Sequence, residues 1–167
     1  MEITLIFPHQ LYAQHPAIEK GRSVYLLEDP LYFTQYPFHK QKLVVHRASM
    51  KYYQHKLEKK GYAVTYVDAV DADLENVFQL LKKKKVSAIH YVDATDYLLE
   101  RRIQRHAKKT GIDLKKYDSP NFLTTEKELD LLFPKEKIGR VIFFQINTSF
   151  FCMALNSPFQ QDRRAHV

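Results

Sequence analysis

Short apolar runs alternate along this chain with longer stretches of helical periodicity, and no other feature constrains its fold as much. Residues 3–7, 24–27, 64–67, 88–92 and 113–117 predict five β-strands. They are near-continuous apolar runs more than strict alternations, the pattern of parallel strands covered on both faces. Between them, Leu43, Arg47, Met50, Tyr53 and Leu57 recur at helical spacing, and Gly61 stops that helix. Leu74, Val77, Phe78 and Leu81 predict a second amphipathic helix, capped by Asp73. Leu99, Ile103 and Ala107 predict a third, opened near Asp96 and closed by Gly111. A short fourth helix is expected from Thr125, where Glu128 completes a capping box.

Strands that alternate with helices require right-handed crossovers. The expected architecture is therefore an α/β, Rossmann-like, doubly wound sheet of five parallel strands in the order 3-2-1-4-5, with helices on both faces. The 167 residues, 45% of them apolar and 27% charged, suffice for one core without metal or disulfide staples. A single cysteine, Cys152, excludes a disulfide framework and any cysteine-only metal site. The first ten residues read as a strand and not as a secretory leader, so the expected compartment is the cytoplasm.

The formal charge of +7 suits an anionic partner. Much of the excess lies in the runs 82–85, 108–109 and 115–116, which also read as solvated helix ends meeting the negative pole of the helix dipole. Weak, nonspecific contact with nucleic acid is the partner this surface suggests. His46 and His55 lie nine residues apart with no carboxylate at ligand spacing, and no HExxH or Cys–His arrangement exists, so no metal centre is expected.

In a doubly wound sheet, ligands bind beyond the carboxyl ends of the strands. Residues 8–11, 28–33 and 93–96 follow the first, second and fourth strands and are the candidates. None forms a glycine-rich phosphate loop, since the chain has only Gly21, Gly61, Gly111 and Gly139. His9 and Gln10 reads either as polar contacts to a ligand edge or as an exposed turn. Asp93 and Asp96 read either as ribose or cation contacts or, for Asp96, as a helix cap. Tyr32, Phe33, Tyr36 and Phe38, close to His39, Lys40 and Lys42, offer stacking surfaces for a planar heterocycle, or a bulky loop packed over the sheet edge.

Taken together, Phe7-Pro8-His9-Gln10-Leu11, Glu28-Asp29-Pro30-Leu31-Tyr32-Phe33, the stretch from His39 to Met50, Gly61-Tyr62 and Ser119-Pro120-Asn121-Phe122-Leu123-Thr124 resemble the deoxyribodipyrimidine photolyase-related family. This family includes bacterial (6-4) photolyases and cryptochromes with an iron–sulfur cluster. The resemblance runs over residues 3–133 and implies an N-terminal antenna domain that binds a ribityl lumazine or a flavin-type chromophore. It implies a chromophore site at His9, Gln10, Glu28, Tyr32, Gln35 and Tyr36. In the family, a larger helical domain binds FAD, the cluster and damaged DNA, so neither FAD nor a cluster is expected within these residues, and catalysis by this chain alone is not expected. Two positions depart from lumazine-binding relatives, which carry an acidic residue at about Tyr32 and a tyrosine at about Gln35. A free-standing Rossmann-like nucleotide-binding protein or enzyme is the other reading, with His9, Asp93 and Asp96 as its chemical groups.

Residues 141–161 contain no charged side chain, and 141–144 are strongly apolar. Polar residues inside this window argue against a membrane span, and a sixth strand followed by a tail is the expectation. The change of composition near Arg140 reads as a truncation, with a family domain over 1–134 and an atypical tail over 135–167. Duplex DNA is expected to bind weakly, with affinity that collapses as salt rises, because lysines meet phosphates without reading bases. A mobility shift that persists at high salt, or prefers a damaged site, would contradict that expectation.

Overall fold

A computed structural model of the chain describes residues 1–124 together with Glu128 and Leu131. The chain divides into two compact units, 1–122 and 123–167. In the second, Leu123, Thr124, Glu128 and Leu131 line an open cavity of about 370 Å³. The helix expected from Thr125 and the strand expected at 141–144 lie outside the described residues.

The first unit holds β1 (Glu2–Ile6), β2 (Ser23–Leu27), α1 (Pro30–Phe33), α2 (Lys40–Lys59), β3 (Val64–Val67), α3 (Leu74–Lys83), β4 (Ala88–Val92), α4 (Tyr97–Thr110) and β5 (Asp113–Tyr117). All four strand pairings are parallel, and the order is β3-β2-β1-β4-β5, as the alternating pattern predicts. β1 ends one residue earlier than expected. The Phe7 carbonyl leaves the ladder and accepts from the Gln10 amide at 3.0 Å, which turns the chain. Helix α1 is an addition to the expected elements. Four residues opened by a proline carry no periodicity for a sequence window to detect.

Alternate strand residues point to opposite faces and build two cores. On one face Ile3, Leu5, Tyr25, Leu27, Ile89 and Tyr91 pack against Val77, Phe78 and Leu81 of α3 and Leu99 and Ile103 of α4. On the other, Ile6, Val24 and Leu26 pack against Met50, Tyr53 and Leu57 of α2. No helix among the described residues is long and apolar enough to cross a membrane.

Helix starts and stops follow their predicted chemistry. Asp73 accepts from the Glu75 amide, and Asp96 accepts from the Leu99 amide at 3.0 Å. The three long helices end alike. The amide of Tyr62 donates to the Leu57 carbonyl, that of Val86 to Leu81, and that of Ile112 to Ala107. Each is the 6→1 closure in which the preceding residue is left-handed. Gly61 and Gly111 fill that place at φ +84° and +72°, whereas Lys85 fills it at φ 56°.

Opposite effects are expected at the two ends. A Cβ at Gly111 meets nothing within 4 Å, so Gly111→Ala carries only backbone strain and lowers stability by about 1 kcal/mol. Lys85→Gly relieves the same strain against a more flexible unfolded chain, for a net gain of roughly 0.5–1 kcal/mol. Urea unfolding of the two variants beside the parent checks both signs.

Candidate functional site

Strand order reverses between β1 and β4, so the crevice lies at the carboxyl ends of those two strands. The turn after β1 delivers Gln10 into it, fully buried. Its Nε2 donates to the carbonyls of Val92 at 3.0 Å and Asp93 at 3.1 Å and so bridges the two strands that part there. Both amide protons are then engaged, while Oε1 is buried and without a partner among the described residues.

His9 makes the second bridge, with Nε2 at 2.9 Å from the Ala94 carbonyl. A carbonyl only accepts, so Nε2 carries the proton. Burial keeps the ring neutral by lowering its pKa, against the opposing pull of the Ala94 hydrogen bond. Nδ1 is therefore a bare lone pair, and it too is buried and unpartnered.

The loop after β2 supplies the rest. Asp29 is 1% exposed and caps α1, its Oδ1 accepting from the Leu31 amide at 2.9 Å. Its Oδ2 is buried without a partner. Burial raises the carboxyl to about 6, with the Leu31 hydrogen bond and the charge of Arg102 opposing only in part. The Tyr32 ring lies 5.1 Å from the His9 ring, tilted by 37°. Burial pushes its phenol above the ordinary value, and the charges of Asp96 and Asp29 push it further. The field of Asp96 acts on His9, Asp29 and Tyr32 alike, which marks these groups as one electrostatic cluster. Beside them Thr95 has φ 54°, a left-handed conformation strained for a β-branched residue. Buried ionisable groups and strain of this kind concentrate at functional sites.

The six residues implied by the family resemblance fall into three places. His9, Gln10 and Tyr32 line the crevice. Gln35 and Tyr36 are exposed beyond it: the Gln35 amide nitrogen donates to the Tyr36 hydroxyl at 3.3 Å, and its oxygen accepts from Arg102 at 2.8 Å. Glu28 serves a different end. Its fully buried carboxylate accepts from Arg47 Nε at 2.7 Å, Arg47 Nη2 at 2.5 Å, the Ala69 amide at 3.0 Å and the Tyr66 hydroxyl. Four donors fill the lone-pair positions of one carboxylate. Burial alone would raise the Glu28 pKa, but the bonds from Arg47, Tyr66 and Ala69 outweigh it and hold the group below the ordinary value.

Asp96 is the cap of α4. Asp93 accepts from the Thr95 amide and pairs with Lys116 at 3.8 Å, so neither aspartate carries a free carboxylate into the crevice. Asp29 and Thr95 fall within the loops that the sequence marks as candidates but carry no individual signal there, and Arg102 lies outside those loops. The burial of one aspartate oxygen and the sign of one φ angle leave no trace in a pattern. Among the described residues, no three potential metal ligands cluster.

A family model described as deoxyribodipyrimidine photo-lyase-related protein matches residues 4–147, most of the chain. No curated protein matches it.

The two neighbouring acids have opposite pH signatures. The folded value of Asp29, about 6, exceeds the unfolded 3.8, so the stability tied to its proton is full below pH 3.8 and is lost as pH rises through 6. For Glu28 the folded value lies below 4.5, so its contribution is present above 4.5 and is lost as pH falls through the folded value. Asp29→Asn keeps the capping oxygen and should raise stability at pH 7 by on the order of 2 kcal/mol, flattening the profile between pH 4 and 6. Arg47→Ala should cost about 1–2 kcal/mol, because it leaves a buried carboxylate without its counterion while the half-exposed position lets water in and Tyr66 and Ala69 still donate. Urea midpoints measured from pH 4 to 7 check both; an Asp29→Asn variant less stable than the parent at pH 7 would refute the assignment.

Proposed function

The chain belongs to the deoxyribodipyrimidine photolyase-related protein family, and from that premise we propose that its α/β domain holds a planar heterocycle of the lumazine or flavin class as an antenna. One observation carries the reading. The unpartnered buried atoms of the crevice, His9 Nδ1, Gln10 Oε1 and Asp29 Oδ2, are all acceptors. Each such atom left unmatched costs about 1–3 kcal/mol, and a ligand that brings donors recovers it. The imide N–H of a lumazine or isoalloxazine ring is such a donor, and the hydroxyls of a ribityl chain are others.

The flat face of such a ring suits Tyr32, which already lies against His9. Tyr36 is 50% exposed and sits edge-on to Phe38 at 6.1 Å, a second aromatic surface on the same loop. When bound, the heterocycle supplies absorption of light. The residues of the domain hold it, orient it and exclude water; none of them forms or breaks a bond. A phosphate-bearing nucleotide fits less well, because phosphate seeks donors and these side chains offer lone pairs.

Titration with riboflavin and with a ribityl lumazine should quench ligand fluorescence and raise the melting temperature through binding to the native state. Tyr32→Ala should weaken binding by roughly tenfold, the scale of one lost ring contact. Asp29→Asn separates binding from folding, since it should stabilise the protein yet weaken the ligand. A folded parent protein that binds neither compound would overturn the reading.

A further inference from the structure

Helix α2 runs back from the carboxyl edge of the sheet to its amino edge. There its last turns face the segment that connects β1 to β2. A cavity of about 250 Å³ lies between them, walled by His15, Ile18, Tyr53, Leu57, Lys60 and Tyr62. None of these residues belongs to the crevice.

The polar chemistry of this cavity is the reverse of the crevice's. His15 Nδ1 accepts from the Ala17 amide at 3.3 Å, so in the neutral ring the proton sits on Nε2. That N–H is buried and has no partner among the described residues. Burial holds the His15 pKa down to about 4, so the ring is neutral at pH 7. The neighbouring polar groups do not compete for the proton. Tyr53 directs its hydroxyl to the Tyr12 carbonyl at 2.9 Å, and the Leu57 carbonyl takes the Lys60 and Tyr62 amides. Lys60 is exposed and brings a positive charge. Ile18, Leu57 and Tyr62 supply apolar and aromatic wall.

A buried donor, a cation and an apolar wall describe one kind of occupant. We infer that the cavity binds a small carboxylic acid with an aromatic or branched apolar body, its carboxylate accepting from His15 Nε2 and paired with Lys60. A single water would satisfy the histidine, but a water occupies only about 30 Å³ of this cavity and leaves the apolar faces of Ile18, Leu57 and Tyr62 uncovered. The lone N–H asks for an acceptor, so an amine of the same shape has nothing to offer. This inference is independent of any heterocycle in the crevice, which lies at the other edge of the sheet.

Benzoate is the probe, with benzylamine as its isosteric opposite in charge. In ¹⁵N-resolved NMR spectra of the full chain at pH 7, benzoate should shift the His15 and Tyr62 signals saturably. A dissociation constant on the order of 1 mM is expected, as fits a ligand of this size. Benzylamine should leave those signals in place. Lys60→Gln, at an exposed position, should weaken benzoate by up to about fivefold, the ceiling for an exposed ion pair. His15→Leu should weaken it by at least about tenfold, the scale of a hydrogen bond to a charged group. If His15→Leu fails to fold, the Lys60 variant and the amine control still decide. No saturable shift at His15, equal shifts by benzylamine, or shifts confined to the His9 and Tyr32 signals would each overturn the inference.

Discussion

The carboxylate of Glu28 is buried at the carboxyl end of β2 and still ionised, and much of the unit's geometry follows from keeping it so. Its four donors come from three elements: Arg47 from α2, Tyr66 from β3, and the Ala69 amide from the turn after β3. The demand is greatest on α2. Of its twenty residues only Met50, Tyr53 and Leu57 are buried, and all lie in its second half. The first half has little apolar surface to hold it, with Val44 and Val45 67% and 66% exposed. Arg47 docks that half together with Leu43, which packs against the core, and His46, whose ring meets Phe33 edge-on. Without Arg47 the start of α2 keeps only those weaker contacts, and Glu28 is left a buried carboxylate short of two donors. The carboxylate that the family resemblance implies as a chromophore contact thus has its lone pairs taken up by the protein's own donors.

Satisfaction of polar groups is uneven across the unit. At the amino edge of the sheet, the three long helices close their last carbonyls with the same 6→1 bond. At the starts of α3 and α4 the caps are aspartates whose oxygens reach the expected amides. At the carboxyl edge, by contrast, a histidine nitrogen and an amide oxygen after β1 and a carboxylate oxygen after β2 are buried without partners among the described residues. The strained Thr95 lies beside them. Buried atoms without partners among the described residues also occur at His15 Nε2 and Glu100 Oε2, and Lys85 shares the left-handed strain of Thr95; the crevice differs in gathering three such acceptors beside a strained residue. Unmatched acceptors and a left-handed threonine are costs to stability, and the proposed heterocycle would offset the first of them.

How much of this was legible beforehand depended on whether the signal repeats. Strand runs and helical spacing recur over many residues, so the sheet, its order and the aspartate caps could be read from the chain. Helix α1 could not, since four residues starting at Pro30 have no period. Glu28 is a subtler case. The resemblance implies a chromophore contact there, and the structure adds a partner that stands nineteen residues later. A clue was present, because Arg47 occupies an inward-facing position in the series Leu43, Arg47, Met50, Tyr53 and Leu57. A guanidinium there requires an acid to meet it. Asp29 offered no such clue, since its first oxygen does ordinary capping and only the placement of the second is unusual.

The polarity of the crevice also separates this chain from the phosphate-binding use of the same architecture. Nucleotide-binding members of doubly wound folds present backbone N–H groups after β1, and glycines allow the phosphate to approach. Here that stretch reads Phe7-Pro8-His9-Gln10-Leu11-Tyr12. Pro8 has no N–H to offer. The Gln10 amide donates to Phe7 and the Tyr12 amide to Gln10, so those donors are engaged within the turn. The side-chain atoms of the crevice left buried and open are lone pairs, with the charge of Asp29 among them. An anion entering there would meet acceptors and a carboxylate in a medium of low dielectric, where repulsion is strong. A neutral ring with N–H and O–H groups meets the same atoms as partners. Under the proposed function, the inversion from donors to acceptors at one turn would select the ligand's chemistry, while the sheet beneath it keeps the same order.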